Sequence, residues 1–289
     1  MKTNNTNSPL VSILMTAYNR EEYIGEAIES VLSNSYQNFE LIIVDDGSKD
    51  STMTIAQSYE STDKRVKVFQ NEKNLGDYAN RNKAVSHALG EFFIFVDSDD
   101  KLYPDSLDRL INDVKNYPDF KFGMYCNQYK NITVISGDAA LKRHFSETQF
   151  LFIGPGGTIM KKSFFREIGG YPEKYGPAND MFFNLKVCCN TSIMLIPYDF
   201  FFYRRHEGQE INNIFSYMYN NYIYMRDALN DLPLPFSNKQ ISWLKKKNKR
   251  RFVVNLIKYF YKTRNLKMLI IALKKAEFSF FDFFQSIFH

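Results

Sequence analysis

Short apolar runs alternate along the chain with stretches in which apolar residues recur every three or four positions, and the alternation is clearest before residue 100. Leu10 to Met15 is an apolar run that ends in Thr16-Ala17-Tyr18-Asn19, and Ile24, Ala27, Ile28, Val31 and Leu32 then mark one face of a helix. Phe39 to Val44 ends in Asp45-Asp46-Gly47-Ser48, after which the Asp50-Ser51 pair predicts a helix start with Ile55, Ala56 and Tyr59 as its apolar positions. Val66 to Phe69 leads into Asn74-Leu75-Gly76-Asp77 and a helix from about Tyr78 to Leu89, closed by Gly90. A further apolar strand begins at Phe92 and stops on Asp97-Ser98-Asp99-Asp100. Strand and helix in regular alternation predict an α/β fold with a parallel sheet.

In open parallel sheets ligands bind outside the carboxyl ends of the strands, so Thr16, Tyr18, Asp46 and Asp99 are expected to face one crevice. An isolated Asp-Ser-Asp reads as a solvated turn or a helix cap. Here the carboxylates stand close enough to repel, and a hard, oxygen-ligated cation would compensate them. The glycine loops of dinucleotide-binding and P-loop folds are missing: the first strand runs into Thr16-Ala17-Tyr18-Asn19, and no Gly-Lys-Ser/Thr follows any strand. Dehydrogenase and P-loop ATPase chemistry are thereby disfavoured.

Four segments, Val11 to Asn19, Leu41 to Ser48, Asn74 to Asn82 and Gly90 to Asp100, resemble in order and spacing the inverting family 2 glycosyltransferases of bacterial surface-polysaccharide synthesis. The resemblance runs from about Leu10 to Gln209 and implies a GT-A fold, a Rossmann-like and mostly parallel sheet flanked by helices. It implies a nucleotide-diphosphate sugar as donor, a UDP-sugar being expected, and a divalent metal, Mn²⁺ or Mg²⁺. Thr16, Ala17, Tyr18 and Asn19 would line the nucleoside pocket, with the Tyr18 ring against the base and Asp46 accepting a hydrogen bond from it. Arg81 would lie near the donor sugar or phosphate, Asp97 and Ser98 near the ribose, and Asp99, supported by Asp100, would ligate the metal.

The second half carries the acceptor side. Gly154-Pro155-Gly156-Gly157 suggests a loop bordering the sugar, with Gly156 and Gly157 its candidates. Asn179-Asp180 opens an apolar helix at the position where the family has Glu-Asp, and the resemblance makes Asp180 the general base. Without it, Asp180 reads as a first-turn carboxylate meeting the helix dipole. Asn179 in place of Glu removes a charge beside that base and puts the family's acceptor contact in doubt. Phe202 to Gln209 resembles the family's Tyr-Arg-x-His segment, so Arg204 and Arg205 are expected at the diphosphate and His206 at phosphate or metal.

Charge changes the picture of the C-terminus. The chain of 289 residues carries +5, yet the stretch from Phe236 holds thirteen Lys and Arg against two acids, which leaves residues 1 to 235 at −6. Its cations alternate with aromatic and aliphatic residues, which suits an anionic membrane surface. Packing of these helices on the catalytic domain or on a second copy is the plainer alternative, and a homodimer is compatible with both. No nucleic-acid module accompanies the charge, so no nucleic-acid partner is expected.

No apolar run reaches the roughly 20 residues of a membrane span, and the expected location is cytoplasmic, peripheral on the inner face of the membrane. The three cysteines lack a zinc or disulfide pattern. The expected organisation is a polar N-terminus (1–9), a catalytic domain (10–212, with a donor half 10–100 and an acceptor half 101–212) and a basic, aromatic-rich helical extension (213–289). The expected activity is metal-assisted transfer of one sugar, with inversion, to a glycan or lipid-linked acceptor. A non-catalytic nucleotide-sugar scaffold and a nucleotidyltransferase on a similar fold are the alternatives.

Overall fold

The computed structural model describes residues 8–206, 209, 213–279 and 281–283. Val11–Ala17 (β1), Ile24–Leu32 (α1), Phe39–Asp45 (β2), Thr52–Thr62 (α2), Val66–Gln70 (β3), Asp77–His87 (α3) and Phe92–Phe95 (β4) follow the predicted alternation. Then come Lys101–Leu102 (β5), Ser106–Lys115 (α4), Phe122–Tyr125 (β6), Thr133–Ile135 (β7), Gly137–Ser146 (α5), Thr158–Lys161 (β8) and Lys162–Glu167 (α6). Asn179–Cys188 (α7), Ile193–Ile196 (β9), Phe201–Phe202 (β10), Ile214–Asp231 (α8), Asn238–Thr263 (α9) and Leu266–Lys275 (α10) complete the order.

Eight strands form one sheet in the order β3-β2-β1-β4-β8-β6-β9-β7. β3, β2, β1 and β4 run parallel, with Val11 opposite both Phe39 and Phe92. β8 joins antiparallel to β4 on one side and β6 on the other, β9 is parallel to β6, and β7 closes the edge antiparallel to β9. A separate antiparallel ribbon pairs β5 with β10, Leu102 against Phe201. The ribbon is what carries Tyr203 and Arg204 back to the end of β4.

The chain divides into two compact units. One comprises the chain through Gly137 with Ile153–Tyr171 and Asn190–Arg205; the other comprises Asp138–Phe152, Pro172–Cys189 and the chain from His206. The expected line at residue 212 is not where this division falls. Residues 138–152 and 172–189 group with the C-terminal helices, because α8 packs on α7 and on the turn before it.

In the first unit β1 is buried on both faces, as a central parallel strand requires. Val11, Ile13 and Met15 meet Ile24, Ala27, Ile28 and Val31 of α1, while Ser12 and Leu14 are equally enclosed. Ser12 Oγ donates to Glu40 Oε1 at 2.5 Å, and the Gly90 amide donates to both Ser12 Oγ and Glu40 Oε1. Only glycine fits there: a Cβ on Gly90 would lie 2.6 Å from the Ser12 amide nitrogen and 2.7 Å from the Leu10 carbonyl.

The second unit has its own apolar core, built from Met218, Tyr219 and Tyr222 of α8, Phe252, Val253 and Leu256 of α9, and Ala272 and Leu273 of α10. Tyr222 stacks on Phe252 with ring centroids 4.6 Å apart. Ser237 and Gln240 form a reciprocal capping box at the start of α9. Among the described residues no helix is long and apolar enough to cross a membrane.

Candidate active site

The parallel strands β1, β2 and β4 end side by side, and their polar ends are laced together by main-chain and side-chain hydrogen bonds. The Ala17 carbonyl accepts the Asp46 amide at 2.8 Å, and the Thr16 carbonyl accepts the Ser98 hydroxyl at 2.9 Å. Asn19 takes a left-handed backbone (φ 52°), donates its amide to Ser48 Oγ and accepts the Lys49 amide on its side-chain oxygen. Tyr18 is left 44% exposed at this edge, so a ring face is available to a flat ligand.

Asp46 is expected at the base. Its carboxylate is nearly enclosed, at 3% exposure, and takes the Asn71 side-chain N–H at 2.7 Å, the Leu75 amide at 2.9 Å and the Gly76 amide at 3.0 Å. The partners seen for it are therefore those of the 71–76 loop. Asn71 is buried too and bridges Asp46 to Asn80 Oδ1, while its own Oδ1 lacks a hydrogen-bond partner. A buried acceptor without a donor is uncommon in proteins. Hydrophobic periodicity does not single out Asn71, which follows Gln70 at the end of β3.

Arg81, on α3, is buried between two carboxylates. Its Nε donates to Asp77 Oδ1 at 2.9 Å, and its Nη1 lies 2.8 Å from Asp97 Oδ1, an ion pair without hydrogen-bond alignment. Burial alone would lower the guanidinium pKa; the charges of Asp77 and Asp97 overcome that and hold it protonated. Asn82, one residue on, grips the Tyr171 backbone through both its amide groups, which ties α3 to the Gly169-Gly170 turn.

At the end of β4, Asp99 accepts a hydrogen bond from Arg20 Nε at 3.0 Å, and Arg20 Nη1 also reaches the Tyr18 and Asn19 carbonyls. Arg20 is the main residue that hydrophobic periodicity misses. Charge was the signal: carboxylates crowded at one strand end call for a cation, and Arg20 follows directly on the neighbouring one. Asp100 is fully buried, and burial, reinforced by the negative charge of Asp97, pushes its carboxyl up to about 8. It accepts the Arg204 amide at 2.9 Å.

The two arginines of the Tyr203-Arg204-Arg205 segment differ. Arg204 donates to the Asp99 carbonyl and pairs with Glu26, with its guanidinium 5.2 Å from the Tyr23 ring, so it straps the β5–β10 ribbon to α1 and to the β4 end. Arg205 is exposed and has no ion pair among the described residues. Burial and then the charges of Asp100, Asp99 and Asp97 raise the Tyr203 hydroxyl, which places it in the field of the same cluster.

Gly156 and Gly157, expected along the sugar, are buried in a short 3₁₀ turn, Pro155–Gly157, and face Phe201. A Cβ on Gly157 would lie 2.5 Å from Ile153 Cγ2, so packing accounts for glycine there. Asn179, Asp180 and His206 belong to the second unit. Asn179 is buried, with its oxygen accepting the Tyr175 amide and its nitrogen donating to the Gly176 carbonyl, and so closes the turn before α7. Asp180, half-buried in the first turn of α7, accepts the Met181 amide at 2.7 Å. The His206 amide donates to Gln209 Oε1.

The donor set at the β4 end suits a nucleotide-bound cation. Three carboxylates stand within four residues, and the pKa of the buried one is driven up partly by its neighbours' charge, a strain that a divalent ion relieves. Among the described residues no group of three His, Cys, Asp or Glu side chains is arranged to hold a metal by itself. Mg²⁺ and its like take one or two carboxylates and complete their shell with phosphate oxygens and water, and Asp99 fits that smaller share.

The strand order, the β5–β10 ribbon and the carboxylates closing β4 together define a GT-A fold. Residues 12–169, more than half of the chain, match the model for Glycosyl transferase family 2, and the chain belongs to that family. It is 44% identical over 106 residues to an uncharacterised glycosyltransferase of Haemophilus influenzae, a match covering 37% of this chain and 42% of that protein. It is 45% identical over 103 residues to the Bacillus subtilis protein named "Putative teichuronic acid biosynthesis glycosyltransferase TuaG", covering 36% of this chain and 41% of that one. The match thus spans about two fifths of the length of each relative. Among solved structures, S. aureus TarS 1-349 in complex with UDP-GlcNAc resembles the chain with a TM-score of 0.71 at 22% identity, over 96% of this chain and 81% of that one.

Proposed function

We propose that the protein is an inverting glycosyltransferase that moves a sugar from a UDP-sugar to a hydroxyl of a glycan or lipid-linked acceptor in surface-polysaccharide synthesis. The observation that carries this reading is the shared frame at the ends of β1, β2, β3 and β4, where the Tyr18 carbonyl, Asn71, Arg81 and Asp99 are held by hydrogen bonds and ion pairs. Tyr18 stacks on the base and the buried Asn71 Oδ1 accepts its N–H. Arg81, kept charged, and Asp97 face the ribose and donor sugar. Arg205, exposed and unpaired among the described residues, meets the diphosphate, while Arg204 holds the segment in place.

Asp99 would hold the divalent cation, Mn²⁺ or Mg²⁺, which would supply neutralising charge for the departing nucleotide. Asp180 takes the proton of the acceptor hydroxyl as that oxygen attacks the anomeric carbon from the face opposite the nucleotide, and the single displacement inverts the centre. The name of TuaG and the UDP-GlcNAc bound to TarS support the donor and the pathway class. The catalytic domain with its basic extension works at the cytoplasmic face of the membrane, where lipid-linked acceptors are presented.

Incubation of the protein with UDP-GlcNAc, other UDP-sugars and Mn²⁺, in the presence of a membrane extract carrying lipid-linked glycans, tests the reading. UDP release that stops in Asp180→Asn, while that variant still binds UDP, is the expected result. Asp180→Asn should lower turnover by about 10²-fold or more, the usual worth of a general base. Pyrophosphate release from nucleoside triphosphates would instead favour a nucleotidyltransferase, and nucleotide binding with no turnover on any donor would favour a scaffold.

A further inference from the structure

α9 is 26 residues long, carries nine Lys and Arg and contains no carboxylate. It buries Leu244, Phe252, Val253 and Leu256 in the core of the second unit. On the side away from these residues the helix does not become simply polar. Trp243 is 57% exposed, Val254 41%, Ile257 47% and Tyr261 73%. Steps of three, four or multiples of a turn separate them, so at 3.6 residues per turn they fall on one line of the helix, about 27 Å long. Arg250 and Lys247 stand within that line, and Lys246 and Lys258 flank it, all four of them solvent-facing. Lys247 sits 4.8 Å from the Trp243 ring and Arg264 4.7 Å from the Tyr261 ring, so cations border the aromatic groups at both ends.

We propose that this face of α9 lies flat in the interface of an anionic bilayer, with Trp243, Val254, Ile257 and Tyr261 at the acyl boundary and the interleaved lysines and arginines on the headgroup phosphates. The inference rests on the reading of a membrane-peripheral enzyme and names the surface responsible. Charge and apolar character together select the occupant. A second copy would bring the same acid-free, cationic face against this one, which repels. A polyanion in water would satisfy the cations but gain nothing from Val254 and Ile257. A bilayer interface takes both kinds of side chain at one depth, and Trp and Tyr rings are suited to that layer. α9 meets the membrane along its side, since its opposite side is committed to Phe252 and Leu256.

Trp243 is the one tryptophan of the chain, so the full-length protein carries its own probe. Titration with phosphatidylcholine–phosphatidylglycerol vesicles should shift its emission to the blue and expose it to quenching by brominated lipid, with no change on pure phosphatidylcholine. Ile257→Glu should weaken partitioning about tenfold, because it places a carboxylate at the acyl boundary. Unchanged circular dichroism and UDP affinity would establish that this variant is folded. Binding to anionic vesicles with Trp243 emission unmoved and Ile257→Glu neutral would overturn the assignment of this face while leaving a membrane partner standing. No binding to anionic vesicles at all would overturn the membrane partner itself, and the face with it.

Discussion

Asp46 is the residue whose behaviour separates holding a loop from touching a ligand. Its carboxylate takes two backbone amides and one side-chain N–H from residues 71–76. Asp46→Ala removes the acceptor shared by these three donors and leaves the Leu75 amide without it, while Gly76 keeps Asn74 Oδ1 and Asn71 keeps Asn80 Oδ1; a lost buried partner is worth about 1–3 kcal/mol. The variant should lose about 1–3 kcal/mol in urea unfolding and lose nucleotide affinity with it, whereas a residue that only touched the base would lose affinity alone. His144 makes a second residue-scale prediction. It is fully enclosed, its Nδ1 accepts the Phe150 and Leu151 amides at 3.1 Å, and burial lowers its pKa to about 4. Unfolded, the same imidazole binds a proton near pH 6.5, so between pH 6.5 and 4 the unfolded chain holds one proton more than the folded one. Stability attributable to His144 is thus present above pH 6.5 and is lost as pH falls towards 4, by up to about 3 kcal/mol. Urea titrations across that window should show a steeper acid loss in wild type than in His144→Gln. Equal slopes would mean the ring is not held neutral. In the sequence Asp46 was legible as a strand-end carboxylate, but its partners come from a loop 25 to 30 residues on, which no periodicity reveals. Arg20 was hidden for a related reason: its importance lies in facing Asp99, 79 residues away.

At the scale of elements, β1 to β4 and α1 to α3 follow the predicted pattern because each strand is a continuous apolar run and each helix has an apolar stripe, so local signal and tertiary demand agree. β8 was not legible. Thr158–Lys161 is four residues long, and its antiparallel pairing with β4 and β6 is set by the chain's return. Gly154 to Gly157 invited a ligand loop because glycine signals close backbone approach; the close approach is to Phe201 and Ile153. Gly90 shows the same rule inside the sheet. Gly90→Ala must displace the backbone of β1 at Leu10 and Ser12, and should cost on the order of 3 kcal/mol, as overpacking does. Because β1 carries Thr16 and Tyr18 at its far end, thermal unfolding and UDP affinity should fall together. A variant as stable as wild type would show that the edge between β1 and β4 yields more readily than this packing implies.

The molecule as a whole combines a unit read largely from its sequence with one that was not. The first unit holds the strand-end motifs, and its architecture follows from them. The second gathers 138–152, 172–189 and the C-terminal helices, a grouping invisible to composition because only the helices after Phe236 are basic. Asn179 illustrates the cost of reading that region by position alone: a missing family charge proves to be a buried amide closing a turn. The central claim, a nucleotide-sugar site at the ends of β1, β2 and β4, is tested most directly by calorimetric titration of the purified protein with UDP and UDP-GlcNAc, with Mn²⁺ and then with chelator, in wild type and Asp99→Ala. Saturable binding that needs the metal and disappears in Asp99→Ala is the predicted result. Equal binding in the variant, or none to any nucleotide in wild type, would contradict it.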